Sequence, residues 1–373
     1  MEPRDLLRAQ VDTWVQEIAR ASRALETVGQ VDPRLYERVR ARFERLLGEQ
    51  RAVAEEVRRD LDGGKGARAC AEALWRARDR CAGVFREVLA CAQGALARRE
   101  GLDGGLCRIA DALLDRLSRR ADVPWGRFTV VAEGEFFYDM AEVIRLRFPE
   151  VSVWSLPVAA HEFGHFAATA SAFRGAAEGV GGREQALLQE HFADGFATYA
   201  LGPAFACTAV LQRLDPTRPF QETERHPSPS ARVRCILRVL ERLEEARGPG
   251  PAGYGEMLAV LRRQWRDAAA GGDPPEEFDP AAFDALADRL WEWFDARAPA
   301  ARYDGWLRAL RLAVALHPDE EAAPVGQEGD EIADVLNAAW LCRTARNHAG
   351  DPHAVRRIGR RALALCREIA DDA

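Results

Sequence analysis

Apolar residues recur at helical spacing along the first third of the chain. From the Asp32-Pro33 pair to the Gly63-Gly64 pair, Leu35, Val39, Phe43, Leu46, Val53, Val57 and Leu61 mostly fall at steps of three, four or seven. That spacing places them on one helical face, with proline at the first helical position and glycine past the end. Comparable stretches run from Pro3 to about Glu26, Ala67 to Arg99 and Leu106 to Arg120. Joined by short glycine turns, they predict an antiparallel helical bundle over residues 1–122.

The period changes after Pro124. Arg127–Val131 and Glu142–Phe148 are rich in β-branched and aromatic residues, and Ile144, Leu146 and Phe148 alternate with Arg145 and Arg147. Both read as strands, with the three apolar residues facing one way and the two arginines the other. Helical spacing returns over 231–246, 254–269, 280–297, 301–316, 330–347 and 353–370, with breaks at Gly248–Gly253, Gly271–Pro275 and His317-Pro318. The predicted fold is mainly α with a small β-sheet, an α+β chain. Its expected spans are a helical bundle at 1–122, a core at 123–232 and a C-terminal helical region at 233–373 packed on that core.

Composition narrows the picture only slightly. The 373 residues are 47% hydrophobic and 30% charged, with a net charge of -7. That is an ordinary globular balance and carries no basic excess of the kind nucleic acid selects, so no nucleic-acid partner is expected. No apolar run approaches the length of a membrane span, and the amphipathic, charged first segment is unlike a secretory signal. A cytoplasmic location is expected. The eight cysteines contain no CxxC pair and mostly sit in apolar helical stretches, as free buried thiols do.

The chemistry concentrates where histidine, only seven residues in all, clusters. His161-Glu162-Phe163-Gly164-His165 is an HExxH motif, expected by chance roughly 0.01 times from this chain's own composition. On a helix its histidines stand one turn apart and can point at one tetrahedral ion, with Glu162 beside them. Downstream, Glu190 and Asp194 share one face of a predicted helix that Gly202-Pro203 closes. Glu190 would complete a His-His-Glu set, and Asp194 would accept the free ring N–H of a ligand histidine. His191, about 100° around that helix, is assigned to a neighbouring face. His226-Pro227-Ser228-Pro229-Ser230-Ala231-Arg232 enters the next helix, with Ser230 as its expected N-cap. There His226 could donate to an oxyanion, and Arg232 could tie the loop to an acidic group. Each motif alone also fits a plain reading: packed histidines, a solvated carboxylate pair, a proline-rich helix entry.

Together, in this order, the three motifs resemble the gluzincin metallopeptidases, in particular the HtpX and CAAX-prenyl-protease group. That group carries HExxH, then Glu-x-x-Ala-Asp, then His-Pro-x-x-x-x-Arg. The resemblance covers roughly residues 155–235 and implies a zincin-like core. It implies one Zn²⁺ held by His161, His165 and Glu190, and Glu162 as general base and acid. It also implies Asp194 behind the ligands, with His226 and Arg232 shaping the substrate side. The named relatives are membrane proteins whereas this chain shows no span, so a prenylated or membrane-embedded substrate does not carry over.

The expected function is a soluble zinc-dependent endopeptidase. It would hydrolyse peptide bonds of a restricted protein substrate through a Glu-activated zinc-bound water, with residues 127–131 or 142–148 as an edge for an extended peptide. The alternative is a zinc-containing protein-binding or sensing module without turnover; a hydrolase of a non-peptide amide is a weaker third. The N-terminal bundle offers a surface for a regulatory partner or serves as packing scaffold. The arginines of the last helix, Arg356, Arg357, Arg360, Arg361 and Arg367, form a docking surface or a solvated face. Trp291, Trp293, Phe294, Trp306 and Trp340 are expected to fill the C-terminal core.

Overall fold

The computed structural model describes residues 3–31, 33–126, 128–132, 136–138, 143–147, 152–170, 182–248, 253–320, 324–345 and 351–372. It is mostly helical with one small sheet. The chain separates into two compact units, residues 1–104 with 130–148, and residues 105–129 with 149–373.

The first unit contains three long helices, α1 (Pro3–Val31), α2 (Pro33–Asp62) and α3 (Ala67–Arg99), each packed on the other two. Val11, Trp14, Ile18, Val39, Phe43, Ala77 and Cys81 are sealed between them. Their facing apolar stripes hold the bundle, because burial rather than intrinsic propensity supplies most helical stability in proteins. The strands β1 (Thr129–Ala132), β2 (Phe136–Tyr138) and β3 (Val143–Arg147) form a sheet in the order β1-β3-β2. β2 and β3 run antiparallel, with Phe137 opposite Ile144. Both faces of β3 are covered at Arg145: Val143 through Leu146 are all buried, and the Arg145 guanidinium pairs with Glu87 of α3. A central strand covered on both faces buries its polar positions as well, and a buried arginine requires an anionic partner.

The second unit begins with α4 (Leu106–Ala121). The sequence groups α4 with the bundle, yet it packs on helices of the second unit instead, so the compactness boundary lies near Gly104. Its buried face of Ile109, Leu113, Leu114 and Leu117 faces α5 (Val158–Thr169), α12 (Ile332–Thr344) and α13 (Pro352–Asp372). The remaining elements are α6 (Gly182–Leu201), α7 (Pro203–Thr208) with a π-turn over Ala209–Arg213, α8 (Pro229–Arg247), α9 (Gly255–Ala268), α10 (Pro280–Arg297) and α11 (Trp306–Leu316).

α6 is the axis of this unit, in contact with α5, α7, α8 and α10 and buried on every side from Glu190 to Leu201. It stops where predicted. Gly202 takes φ 61°, open to glycine at no steric cost, and Pro203 starts α7. The break frees backbone groups that Asn337 of α12 collects: its Nδ2 donates to Leu201 O and its Oδ1 accepts from Ala204 N, both at 2.8 Å. Around α6, Phe192, Phe196 and Tyr199 pack edge-on against Trp291, Trp293 and Phe294 of α10. Trp306 and Trp340 are likewise buried, while Trp293 is half-buried. On α13, Arg357 and Arg361 donate to the backbone oxygens of Pro318, Glu320 and Ala315, which fastens α13 to the end of α11. Among the described residues no helix is long and apolar enough to cross a membrane.

Candidate metal centre

α5 and α6 cross closely, and a missing side chain sets how closely. A Cβ added at Gly164 would lie 2.8 Å from Ala193 Cα, so only glycine fits there. Gly164 sits between the HExxH histidines' turns, and Ala193 lies between Glu190 and Asp194. The crossing therefore brings those four side chains to one place. His161 and His165 stand one turn apart on α5 with Nε2 atoms 3.2 Å from each other and rings nearly perpendicular. Glu190 on α6 faces both, Oε1 3.3 Å from His165 Nε2 and Oε2 3.7 Å from His161 Nε2. The ligand-type atoms of the three all lie within 4.8 Å of one another.

Behind them stands a charged support. Asp194, fully buried, places Oδ1 3.0 Å from His161 Nδ1. Both its oxygens also accept from Arg232 of α8, at 2.7 Å from Nε and 2.8 Å from Nη2, and Arg232 Nη1 approaches Glu190 Oε2 to 3.3 Å. A two-pronged guanidinium–carboxylate pair of this kind is directional as well as strong, so Asp194 is held where it can meet His161. The face of the His161 ring lies parallel to Phe205 of α7 at 5.9 Å. Asp194 along one edge and Phe205 on one face restrict the ring, and Nε2 is left toward His165 and Glu190.

The electrostatics follow from this arrangement. Burial opposes ionisation of Asp194, but Arg232 and then His161 outweigh it and hold the carboxyl far below its usual range. Burial likewise opposes the charge on Glu190, and His165, His161 and Arg232 overcome it, lowering its pKa to about 2. For His161, burial disfavours the charged ring, and the Asp194 hydrogen bond together with the charges of Asp194, Glu190 and Glu162 outweighs it, raising its pKa. Glu162, also buried, adds to that field at both His161 and Arg232.

Donor chemistry supplies a test of fit for a metal ion. Two imidazole nitrogens face each other at 3.2 Å, an arrangement that at most one proton can satisfy. Glu190 Oε2 is buried and accepts no well-aligned hydrogen bond, its Arg232 contact being an ion pair alone. A divalent cation would satisfy all three groups at once, and two histidines with one carboxylate are a zinc ligand set.

The structure thus brings together His161, Glu162, His165, Glu190, Asp194 and Arg232. His226 stands at the edge: its ring is half exposed and Nε2 lies 3.6 Å from Glu190 Oε1. A tight turn presents it, with His226 N donating to Thr223 Oγ1 at 2.9 Å and Thr223 N to His226 O at 3.0 Å. His191 turns away, as expected, buried near Phe283 with its pKa lowered to about 4 by burial. The helix entry differs from expectation in one detail. Ser228 rather than Ser230 caps α8, its hydroxyl accepting from Ala231 N, because Pro229 occupies the first helical position. Phe205 is the site residue that the motifs did not reveal. Its only signal is an aromatic two residues after the Gly202-Pro203 break. The chain matches no protein-family model, no curated protein and no solved structure.

Proposed function

We propose that the chain is a soluble, cytoplasmic, zinc-dependent endopeptidase of the gluzincin type, with a zincin-like core, acting on a restricted protein substrate. One observation carries this reading: His161, His165 and Glu190 converge from two helices, with Asp194 and Arg232 fixing them from behind. The eight buried free cysteines are in keeping with a reducing compartment.

His161, His165 and Glu190 would hold the ion. Bound zinc would supply Lewis acidity, lowering the pKa of water toward neutrality and polarising a carbonyl. The chain's own groups divide the remaining work. Glu162 takes the proton of the attacking water and returns it to the leaving amine. Asp194 accepts the Nδ1 proton of His161, which fixes the tautomer that leaves Nε2 with a lone pair. Arg232 keeps Asp194 ionised in a buried setting. His226, at the exposed rim, donates to the oxyanion that develops on the substrate carbonyl.

The Glu162→Gln variant tests the reading. It keeps the shape of the site and removes the base, so it is expected to retain one zinc per chain and to lose peptide cleavage. Full cleavage by that variant would overturn the assignment. Stable complexes with protein partners and no cleavage by the wild type would instead support a zinc-containing binding module.

A further inference from the structure

In the first unit, α3 leaves an apolar line uncovered. Trp75, Ala82, Leu89 and Leu96 recur every seven residues and are all exposed, Trp75 and Leu89 at 56% and Leu96 at 40%. Arg78, Phe85 and Ala92, three residues after the first three of these, are half-buried beside them. A seven-residue apolar repeat with the three-four spacing is the seam of a coiled coil, here without its second helix. Along the same face α3 and α1 enclose a groove of about 490 Å³, walled by Ala21 and Ala24 of α1 and by Phe85 and Leu89 of α3.

We propose that this face docks the α3 helix of a second copy of the chain, antiparallel to the first. The order of side-chain sizes along the seam selects this occupant. When Ala82 lies opposite the partner's Phe85, two-fold symmetry also sets Trp75 opposite the partner's Ala92 and Leu96 opposite the partner's Ala71. Each large side chain meets a small one, the condition for knobs to enter holes. Leu89 falls opposite the partner's Arg78, whose methylene stem can cover it while its head stays paired with Glu17 of its own α1. The groove stretch Arg78–Leu89 then faces its own symmetry copy, as an isologous interface requires.

Charge selects the same register. Asp79 and Arg86 flank the seam, both exposed, and neither has a charged partner among the described residues. In this pairing Asp79 lies two residues, about 3 Å along the axis, from the level of the partner's Arg86. Symmetry makes the contact twice. A parallel pairing would instead put the two flanks that carry Asp79 and Arg86 on opposite sides of the seam, where these charges could not meet.

Sedimentation equilibrium of the full chain tests the pairing. The wild type is expected to be a dimer and Leu89→Glu a monomer with unchanged helical circular dichroism. Asp79→Arg and Arg86→Asp are each expected to weaken association about tenfold or more, and the double reversal to restore it, since two altered contacts per dimer exchange sign together. A monomeric wild type, a dimer indifferent to Leu89→Glu, or a double reversal no better than the single ones would overturn the proposal. None of these outcomes depends on zinc or on cleavage.

Discussion

Two helices of this chain carry charged residues under opposite conditions. α6 is sealed on all sides from Glu190 onward, and each of its charged groups has a named neighbour: Glu190 with His165, and Asp194 with Arg232 and His161. α3 is exposed along one line, and there the unsatisfied groups are apolar. The difference teaches where chemistry and assembly separate. A buried carboxylate costs several kcal/mol unless it is paired, so its partners are dictated by geometry and mark a site. An exposed leucine costs much less, and it becomes informative only when repeated in register along a face.

The sharpest way to break this contrast is to remove one charge on each side. Asp194→Ala strands Arg232 and unpins His161, so it is expected to lower stability by about 3–5 kcal/mol. Asp62→Asn removes an ion pair with Arg8 that is about half exposed, and should cost less than about 1 kcal/mol. Thermal unfolding measures both, and similar losses would dissolve the distinction. Metal removal comes next. If zinc binds the folded chain, a free concentration of about 1,000 times the dissociation constant adds roughly 4 kcal/mol. A chelator should therefore lower the melting temperature of the wild type and leave His161→Ala unchanged.

Glycines give a smaller test of the same contrast. Gly164→Ala forces α6 away from α5 and is expected to cost about 1–3 kcal/mol together with weakened zinc binding. Gly48→Ala, at a helical position of α2 with open space around it, should instead stabilise by about 0.5–1 kcal/mol. The mildest prediction concerns the thiols. Burial pushes Cys91 up to about 11 and raises Cys207, Cys235 and Cys366 further. The native chain should react slowly with thiol reagents near neutral pH and quickly once unfolded.

Much of this could be read from the residues alone, for reasons that differ by element. The ends of α2 follow from Asp32-Pro33 and Gly63-Gly64, because proline and glycine act through local backbone geometry. The HExxH turn and the Glu190–Asp194 spacing were legible because helical periodicity fixes which side chains share a face. What escaped depends on distant segments. β2 is three residues long, too short for a periodic signal. Arg145 alternates with apolar neighbours, which does not tell whether its face is covered, and only Glu87 from α3 shows why it is inside. The place of α4 is set by α5 and by two helices, α12 and α13, more than 200 residues downstream. The α3 seam stayed hidden because half its members are alanine and arginine, and their exposure emerges only from the fold.

Zinc content across three variants tests the metal centre most directly. Purified wild type and Glu162→Gln should each carry one zinc per chain by elemental analysis, while His161→Ala and Glu190→Ala should carry almost none. X-ray absorption of the wild type should show two imidazole nitrogens and carboxylate oxygen with no sulfur. A wild type that retains no zinc, or one whose zinc survives loss of both His161 and Glu190, would contradict the assignment.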